Sequence, residues 1–192
     1  MAEQLTDRLA TDLDDGFTEL VRIYGGAVCA YLFRVTGSAA TADDLAQDTF
    51  LRAYTALQEY SPARRRELRP RAWLMTIAAN VWRNHVRACT RRPVSAVQIE
   101  DAFPVCTEEG PGPEEHAVTV DDRRRLVAAL GRLPERHRSA VVLRFIIGMT
   151  NAEVAEVQAC PVGTVKAQVS RGLSSLRELL LAETGTSKEV AV

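Results

Sequence analysis

Residues 150–171 read TNAEVAEVQACPVGTVKAQVSR, and this stretch decides the fold. Thr150 followed three residues later by Glu153 is a capping-box pattern, which predicts a helix start. Ala152, Val154, Ala155 and Val157 give that helix its apolar content. Ala159-Cys160-Pro161 reads as a turn, because proline breaks a helix interior. A last helix is expected from about Val162 to Leu181, with Val165, Val169, Leu173, Leu176 and Leu180 as its core stripe. Thr164, Lys166, Gln168, Ser170 and Arg171 then point outward. Two helices joined by a tight turn form a helix-turn-helix, whose second helix can enter a major groove. Val162, Gly163 and Thr164 at its start would meet base edges, while Lys166 and the helix dipole would hold phosphates. A plain helical hairpin shares the pattern. The short polar side chains at the start of the second helix favour DNA over simple packing.

Upstream, residues 120–133 form a short amphipathic helix with Leu126, Val127, Leu130 and Leu133 inward, broken by Pro134. A second helix is expected over 135–147. Its latter half, from Ala140 to Ile147, is apolar nearly all round and is expected to be buried, with Gly148 at its end. Residues 91–120 contain Pro93, Pro104, Pro111, Pro113, Gly110, Gly112 and many acids, which is a linker composition. Before the linker, residues 71–88 place Trp73, Leu74, Ile77, Ala78, Val81, Trp82 and Val86 on one stripe, with Pro70 suited to the first turn. Trp73 and Ile77 are expected in the core. Arg71, Asn80, Arg83, Asn84 and Arg87 line the rest of that helix.

Ser61-Pro62 separates it from a preceding helix, which Thr41 is expected to open with Asp44 three residues on. On that helix Leu45, Thr49 and Ala53 lie on the side of Ala46, Phe50, Tyr54 and Leu57. Asp44, Gln47, Asp48 and Leu51 form the opposite side, an acidic face holding one apolar residue. It is either a solvated face or a partner surface. The first helix is expected over 17–35, ending at Gly37-Ser38.

The net charge of −1 hides a strong segregation. Residues 1–60 carry four basic and ten acidic side chains, and 61–93 carry nine and one. Residues 94–122 have eight acids and no Lys or Arg, while 123–181 carry ten basic and four acidic residues. Two basic patches flanking an acidic spacer point to nucleic acid, because clustered arginines such as Arg64, Arg65, Arg66, Arg69 and Arg71 neutralise phosphates and release counterions. The four cysteines, Cys29, Cys89, Cys106 and Cys160, form no C-x-x-C pair, and the three histidines are badly spaced, so no metal site is expected. No nucleophile–base pair or phosphate loop is present, so neither an enzyme nor a cofactor is expected. No apolar run approaches the ~20 residues of a membrane span. The acidic start lacks a signal core, so a cytoplasmic location with reduced thiols is expected.

At this point the residues resemble the extracytoplasmic-function, group-4 sigma factors of bacterial RNA polymerase. Three segments carry the resemblance: 42–50 (ADDLAQDTF), 71–80 with Arg71-Ala72-Trp73-Leu74, Ile77-Ala78 and Asn80, and 133–166 from Leu133-Pro134-Glu135-Arg136 to Val165-Lys166. The resemblance implies an all-α chain of two small helical domains, a region 2 bundle and a region 4 helix-turn-helix, joined by a flexible linker. The implied boundaries are 1–16 for an N-terminal tail, 17–92 for region 2, 93–119 for the linker, 120–182 for region 4 and 183–192 for a C-terminal tail. It further implies that Asp44, Gln47, Asp48 and Leu51 dock on the β′ clamp helices of core polymerase, with further contacts to the β subunit. Arg64, Arg65, Arg66, Arg69, Arg71, Asn80, Arg83, Asn84 and Arg87 would serve the −10 element of promoter DNA. The loop at 59–70 would hold a flipped base, whose extrusion costs a few kcal/mol. Val162, Gly163, Thr164, Lys166, Gln168, Ser170 and Arg171 would serve the −35 element. The linker would thread towards the RNA exit path, and an anti-sigma factor is an expected partner. The sequence departs from the family at Asn84, usually Asp, at Gln158-Ala159, usually Leu-Gly, and at Gln168, often Arg. An alanine held at positive φ in that turn would cost about 1 kcal/mol. The alternative reading is a dimeric helix-turn-helix regulator working without polymerase, which leaves the acidic-apolar face at 44–51 unexplained.

Overall fold

A computed structural model describes residues 2–91 and 120–189. The linker expected at 93–119 lies outside the described residues, as does Cys106. Every element among the described residues is helical: α1 (Ala2–Thr11), α2 (Leu13–Thr36), α3 (Ala39–Glu59), α4 (Pro62–Arg66), α5 (Pro70–Arg91), α6 (Val120–Gly131), α7 (Glu135–Val141), α8 (Asn151–Gln158) and α9 (Val162–Glu189), with a π-helical turn at Val142–Ile146 after α7.

The first half is a bundle of α1 to α5. Asp12 breaks the chain between α1 and α2, where its carboxylate accepts the Asp14 and Asp15 N–H groups at 3.0 and 3.1 Å. The stretch expected to be a tail is thus the helix α1, because Leu5 and Leu9, four residues apart, bury against α2 and α4. Gly16 permits this contact: a Cβ there would stand 2.5 and 2.6 Å from backbone atoms of Leu9. Gly37 ends α2 in the left-handed region at φ 72, its N–H bonding to Phe33 O. The start of α3 differs from expectation. Ser38, not Thr41, is the N-cap, because Ser38 already has extended backbone and its hydroxyl accepts the Thr41 N–H at 3.3 Å. Pro70 opens α5 as expected, within the first turn where a missing N–H is harmless. Leu20, Val28 and Leu32 of α2, Leu45, Ala53 and Leu57 of α3, and Leu74, Met75, Ala78 and Trp82 of α5 fill the core. Trp73 and Ile77 are only partly buried, at the edge of it.

The second half packs α6, α7 and α8 around the base of α9 through Val127, Leu130, Leu133, Val142, Leu143, Met149, Val154, Val157, Val165 and Leu176. The helix expected to run to Ile147 widens instead after Val141. Ile147 N–H reaches Val142 O at 3.0 Å, a five-residue step. The wider turn keeps Val142 and Leu143 inside but swings Phe145 and Ile146 out, 55% and 39% exposed, so the expected burial stops short of them.

The two halves share one hydrophobic core. Tyr31 of α2 is fully buried, and its hydroxyl lies 2.9 Å from Ser139 Oγ of α7. Beside it the Arg138 guanidinium donates to Val35 O at 2.6 Å, to Leu133 O at 3.1 Å and to Gly131 O. Gly16→Ala is expected to destabilise the chain by about 1–3 kcal/mol, because the clash is with backbone that cannot rotate away. A urea melt followed by circular dichroism would measure it.

Candidate nucleic-acid interface

The helix-turn-helix forms as the sequence predicts. The Thr150 hydroxyl accepts the Glu153 N–H at 3.2 Å, and Glu153 Oε2 accepts the Thr150 N–H at 2.8 Å, so the capping box is complete. The backbone N–H and hydroxyl of Thr150 hold the Glu153 carboxyl below the usual carboxylate range. α8 ends at Ala159, which adopts φ 51, ψ 49. This is the left-handed geometry a glycine would take at no steric cost, here occupied by alanine. The turn closes through Cys160 N–H to Ala155 O at 3.0 Å and Thr164 N–H to Pro161 O at 2.9 Å. On α9 Val162, Gly163, Thr164, Lys166, Ser170 and Arg171 are exposed, forming one polar face. Gln168 is the exception to the expected outward set. It is 8% exposed, and its Oε1 is buried with no partner among the described residues. It lies on a cavity of about 190 Å³ shared with Arg83, Arg87 and Arg136. The expectation that Gln168 faces solvent fails because it lies where α7 packs along α9, on a cavity also lined by Ser139, Gln158 and Thr164.

The first basic patch divides into open and engaged residues. α4 is a single arginine-rich turn capped by Ser61. Arg64 stacks on Tyr60, its guanidinium carbon 3.9 Å from the ring centroid, and Tyr60 in turn tilts against Trp73 at 6.3 Å. Tyr60 was not singled out from the sequence. The available signal was an aromatic residue immediately before the Ser61-Pro62 break and the arginine run. A ring and a guanidinium stacked together form a platform for an unpaired base. Asn80, Asn84 and Arg87 are exposed along α5. Arg65 turns inward, donating to Leu57 O at 2.9 Å and Leu9 O at 3.2 Å, and so ties α1, α3 and α4 together. Arg66 lies 3.4 Å from Asp7 of α1. Arg69, Arg71 and Arg83 are engaged by the second half. Arg69 bonds both Glu156 oxygens at 2.9 Å, Arg71 donates to Ile147 O, and Arg83 donates to Val157 O at 3.1 Å.

The α3 face is separate from both. Asp44, Gln47 and Leu51 are exposed, Leu51 to 66%, and Asp48 pairs with Arg52 at 2.8 Å on the next turn. Leu51 is thus a single apolar side chain standing in solvent among acids.

The sequence pattern of Sigma-70 region 2 matches residues 20–92, and that of Sigma-70, region 4 matches residues 123–176. The chain belongs to the ECF group of the sigma-70 family. Among relatives of this sigma factor, the ECF RNA polymerase sigma-E factor of Haemophilus influenzae is 32% identical over 181 residues, covering 89% of this chain and 93% of that one. The ECF RNA polymerase sigma factor SigW of Bacillus subtilis is 28% identical over 173 residues, covering 86% and 89%. The solved structure of CnrH in complex with the cytosolic domain of CnrY superposes with a TM-score of 0.68 at 25% identity, covering 94% of this chain and 97% of CnrH. The region 2 match begins inside α2, so α1 precedes it, while the region 4 match runs from within α6 through α7, the π-helical turn and α8 into the first part of α9. No described helix of the sigma factor is long and apolar enough to cross a membrane.

Thr150→Ala is expected to lower stability by about 1 kcal/mol near neutral pH. Because the Glu153 pKa is depressed on folding, the contribution of the pair is full above the unfolded carboxyl pKa and is lost as pH falls through the folded one. The gap between variant and parent in thermal melts should therefore narrow on acidification.

Proposed function

We propose that this sigma factor binds core RNA polymerase through α3 and directs it to promoters, opening the −10 element with α4 and α5 and reading the −35 element with α9. The observation that carries this reading is the division of the exposed surface into three chemically distinct faces. The acidic face with Leu51 suits a protein partner and repels DNA. The Arg64–Tyr60 platform and the Asn80, Asn84, Arg87 edge suit an unpaired, flipped strand: stacking holds the base while cations hold the backbone. The α9 face presents Lys166 and Arg171 for phosphates, with Val162, Gly163 and Thr164 at the helix start where bases are read.

Asp44, Gln47, Asp48 and Leu51 dock on the β′ clamp helices, and region 4 meets the β subunit. A protein that does this works in the cytoplasm, beside the polymerase. CnrH was solved with the cytosolic domain of a second protein, CnrY, and by likeness an anti-sigma factor is the partner that holds this chain inactive.

Run-off transcription with core polymerase on genomic promoters tests the reading, and the absence of any promoter-specific transcript would overturn it. Leu51→Ala combined with Asp48→Ala is expected to weaken core binding at least several-fold in a fluorescence titration, with −35 duplex binding unchanged. Lys166→Ala is expected to weaken duplex binding about equally on all sequences and to lower its salt slope by about 1.

A further inference from the structure

We propose that the cavity lined by the end of α5, by α6 and by α7 binds a small aromatic acid, whose carboxylate takes the Trp82 indole N–H and the Arg138 Nε–H. The cavity holds about 690 Å³, within the roughly 300–1,000 Å³ range of small-molecule sites. It uses none of the surfaces assigned above to polymerase or DNA. Two unmet donors decide the head group of the ligand. Trp82 is 6% exposed, and its Nε1–H is buried with no acceptor among the described residues. Arg138 uses its two Nη groups on Val35, Gly131 and Leu133 O, while its buried Nε–H meets no acceptor among the described residues. The two side chains are neighbours: the Arg138 guanidinium carbon lies 5.9 Å from the Trp82 ring centroid. Both line the cavity. Buried donors are ordinarily satisfied, so two of them side by side at one cavity call for a ligand that brings acceptor oxygens.

Charge and wall chemistry narrow the ligand further. Of the fully charged side chains that line the cavity, Arg132 and Arg138 are cationic and Glu135 is anionic, so one positive charge is in excess. Burial pushes the Arg138 guanidinium below its ordinary pKa, and the Glu135 charge offsets this only in part. A carboxylate beside Nε favours the charged guanidinium, and its two oxygens allow one for each donor. Val86 of α5 with Val127 and Ala128 of α6 supply apolar wall for a hydrocarbon body. The His85 ring stacks on Trp82 with centroids 5.8 Å apart and planes 22° from parallel, and Cys89 Sγ, 3.4 Å from His85 Nε2, holds the imidazole in place. This slab of two flat rings favours a planar ligand over a flexible chain, because offset stacking adds to simple burial.

The probe is 2-naphthoate, titrated into the nitrogen-15-labelled full chain and followed at the indole N–H resonances of Trp73 and Trp82, assigned with Trp73→Phe. The Trp82 resonance is expected to move downfield, as a donor gaining an acceptor does, and to saturate with a dissociation constant below about 1 mM. The Trp73 resonance should stay in place. The 2-naphthylmethylammonium ion, with the same rings and the opposite charge, should move neither. Trp82→Phe keeps a ring but lacks the N–H, and is expected to weaken naphthoate binding roughly ten-fold by calorimetry. Ala128→Phe fills the cavity from α6 and should abolish binding while keeping the parent's circular dichroism; it also decides the matter if Trp82→Phe does not fold. A Trp82 resonance that stays in place through millimolar 2-naphthoate would overturn the site. So would naphthoate binding that survives in Ala128→Phe, or an equal response to the ammonium ion. A Trp82 resonance already downfield in the free chain and unmoved by naphthoate would mean that another part of the chain supplies the acceptor, which also overturns it.

Discussion

The Tyr31 hydroxyl and the Ser139 hydroxyl meet at 2.9 Å in a place with no access to water, and most of the architecture is arranged around that contact. Burial pushes the Tyr31 phenol above its ordinary pKa, so it stays neutral and can bond without the cost of a buried charge. Removing either partner would strand a polar group, at about 1–3 kcal/mol. Arg138 stands next to the contact. Desolvation lowers its pKa, and three backbone carbonyls at Val35, Gly131 and Leu133 accept from its charged head. α2 therefore belongs to two cores at once. Its Leu20, Val28 and Leu32 hold the first bundle, and its Tyr31 and Val35 hold the second half against it.

That shared helix explains how a chain with a nearly balanced net charge keeps its charges usefully apart. Acids lie on α3 and basic residues on α4, α5 and α9, and packing the halves mainly through apolar residues, the neutral Tyr31–Ser139 bond and arginine bonds to backbone carbonyls leaves most of those charges uncancelled. Where arginines do meet the other half, they meet carbonyls and one carboxylate at the ends of short helices. The one carboxylate pair among them, Arg69–Glu156, is exposed and is worth at most about 1 kcal/mol. A fully buried charge pair in the same position would be far harder to open.

The left-handed Ala159 shows a different trade. Its φ of 51 costs roughly 1 kcal/mol compared with glycine, yet the complete Thr150–Glu153 capping box stabilises the other end of α8 by a similar amount. The turn geometry survives an unfavourable residue because the helices on either side of it are independently anchored, α8 through Val154 and Val157 and α9 through Val165.

Local pattern by itself determined the helical class, the capping box at Thr150 and Glu153, the turn at Ala159, the Pro70 helix start and the acidic-apolar face around Leu51. Each of these depends on interactions within about four residues, so periodicity and capping chemistry are enough to read them. Features made by distant contacts were not legible. α1 escaped notice because two leucines on an acidic stretch become a helix face only when α2 and α4 cover them. Arg65 looked like its neighbours in the arginine run, yet its carbonyl partners at Leu9 and Leu57 turn it inward. Gln168 sat on the outward side of its own helix, and only the packing of neighbouring helices against α9 buried it. The widened turn at Val142–Ile146 likewise exposed Phe145 and Ile146 against an apolar pattern. The tertiary structure decided which arginines are free and which are held, because that depends on where the second half lands, and no sequence spacing encodes a contact across 70 or more residues.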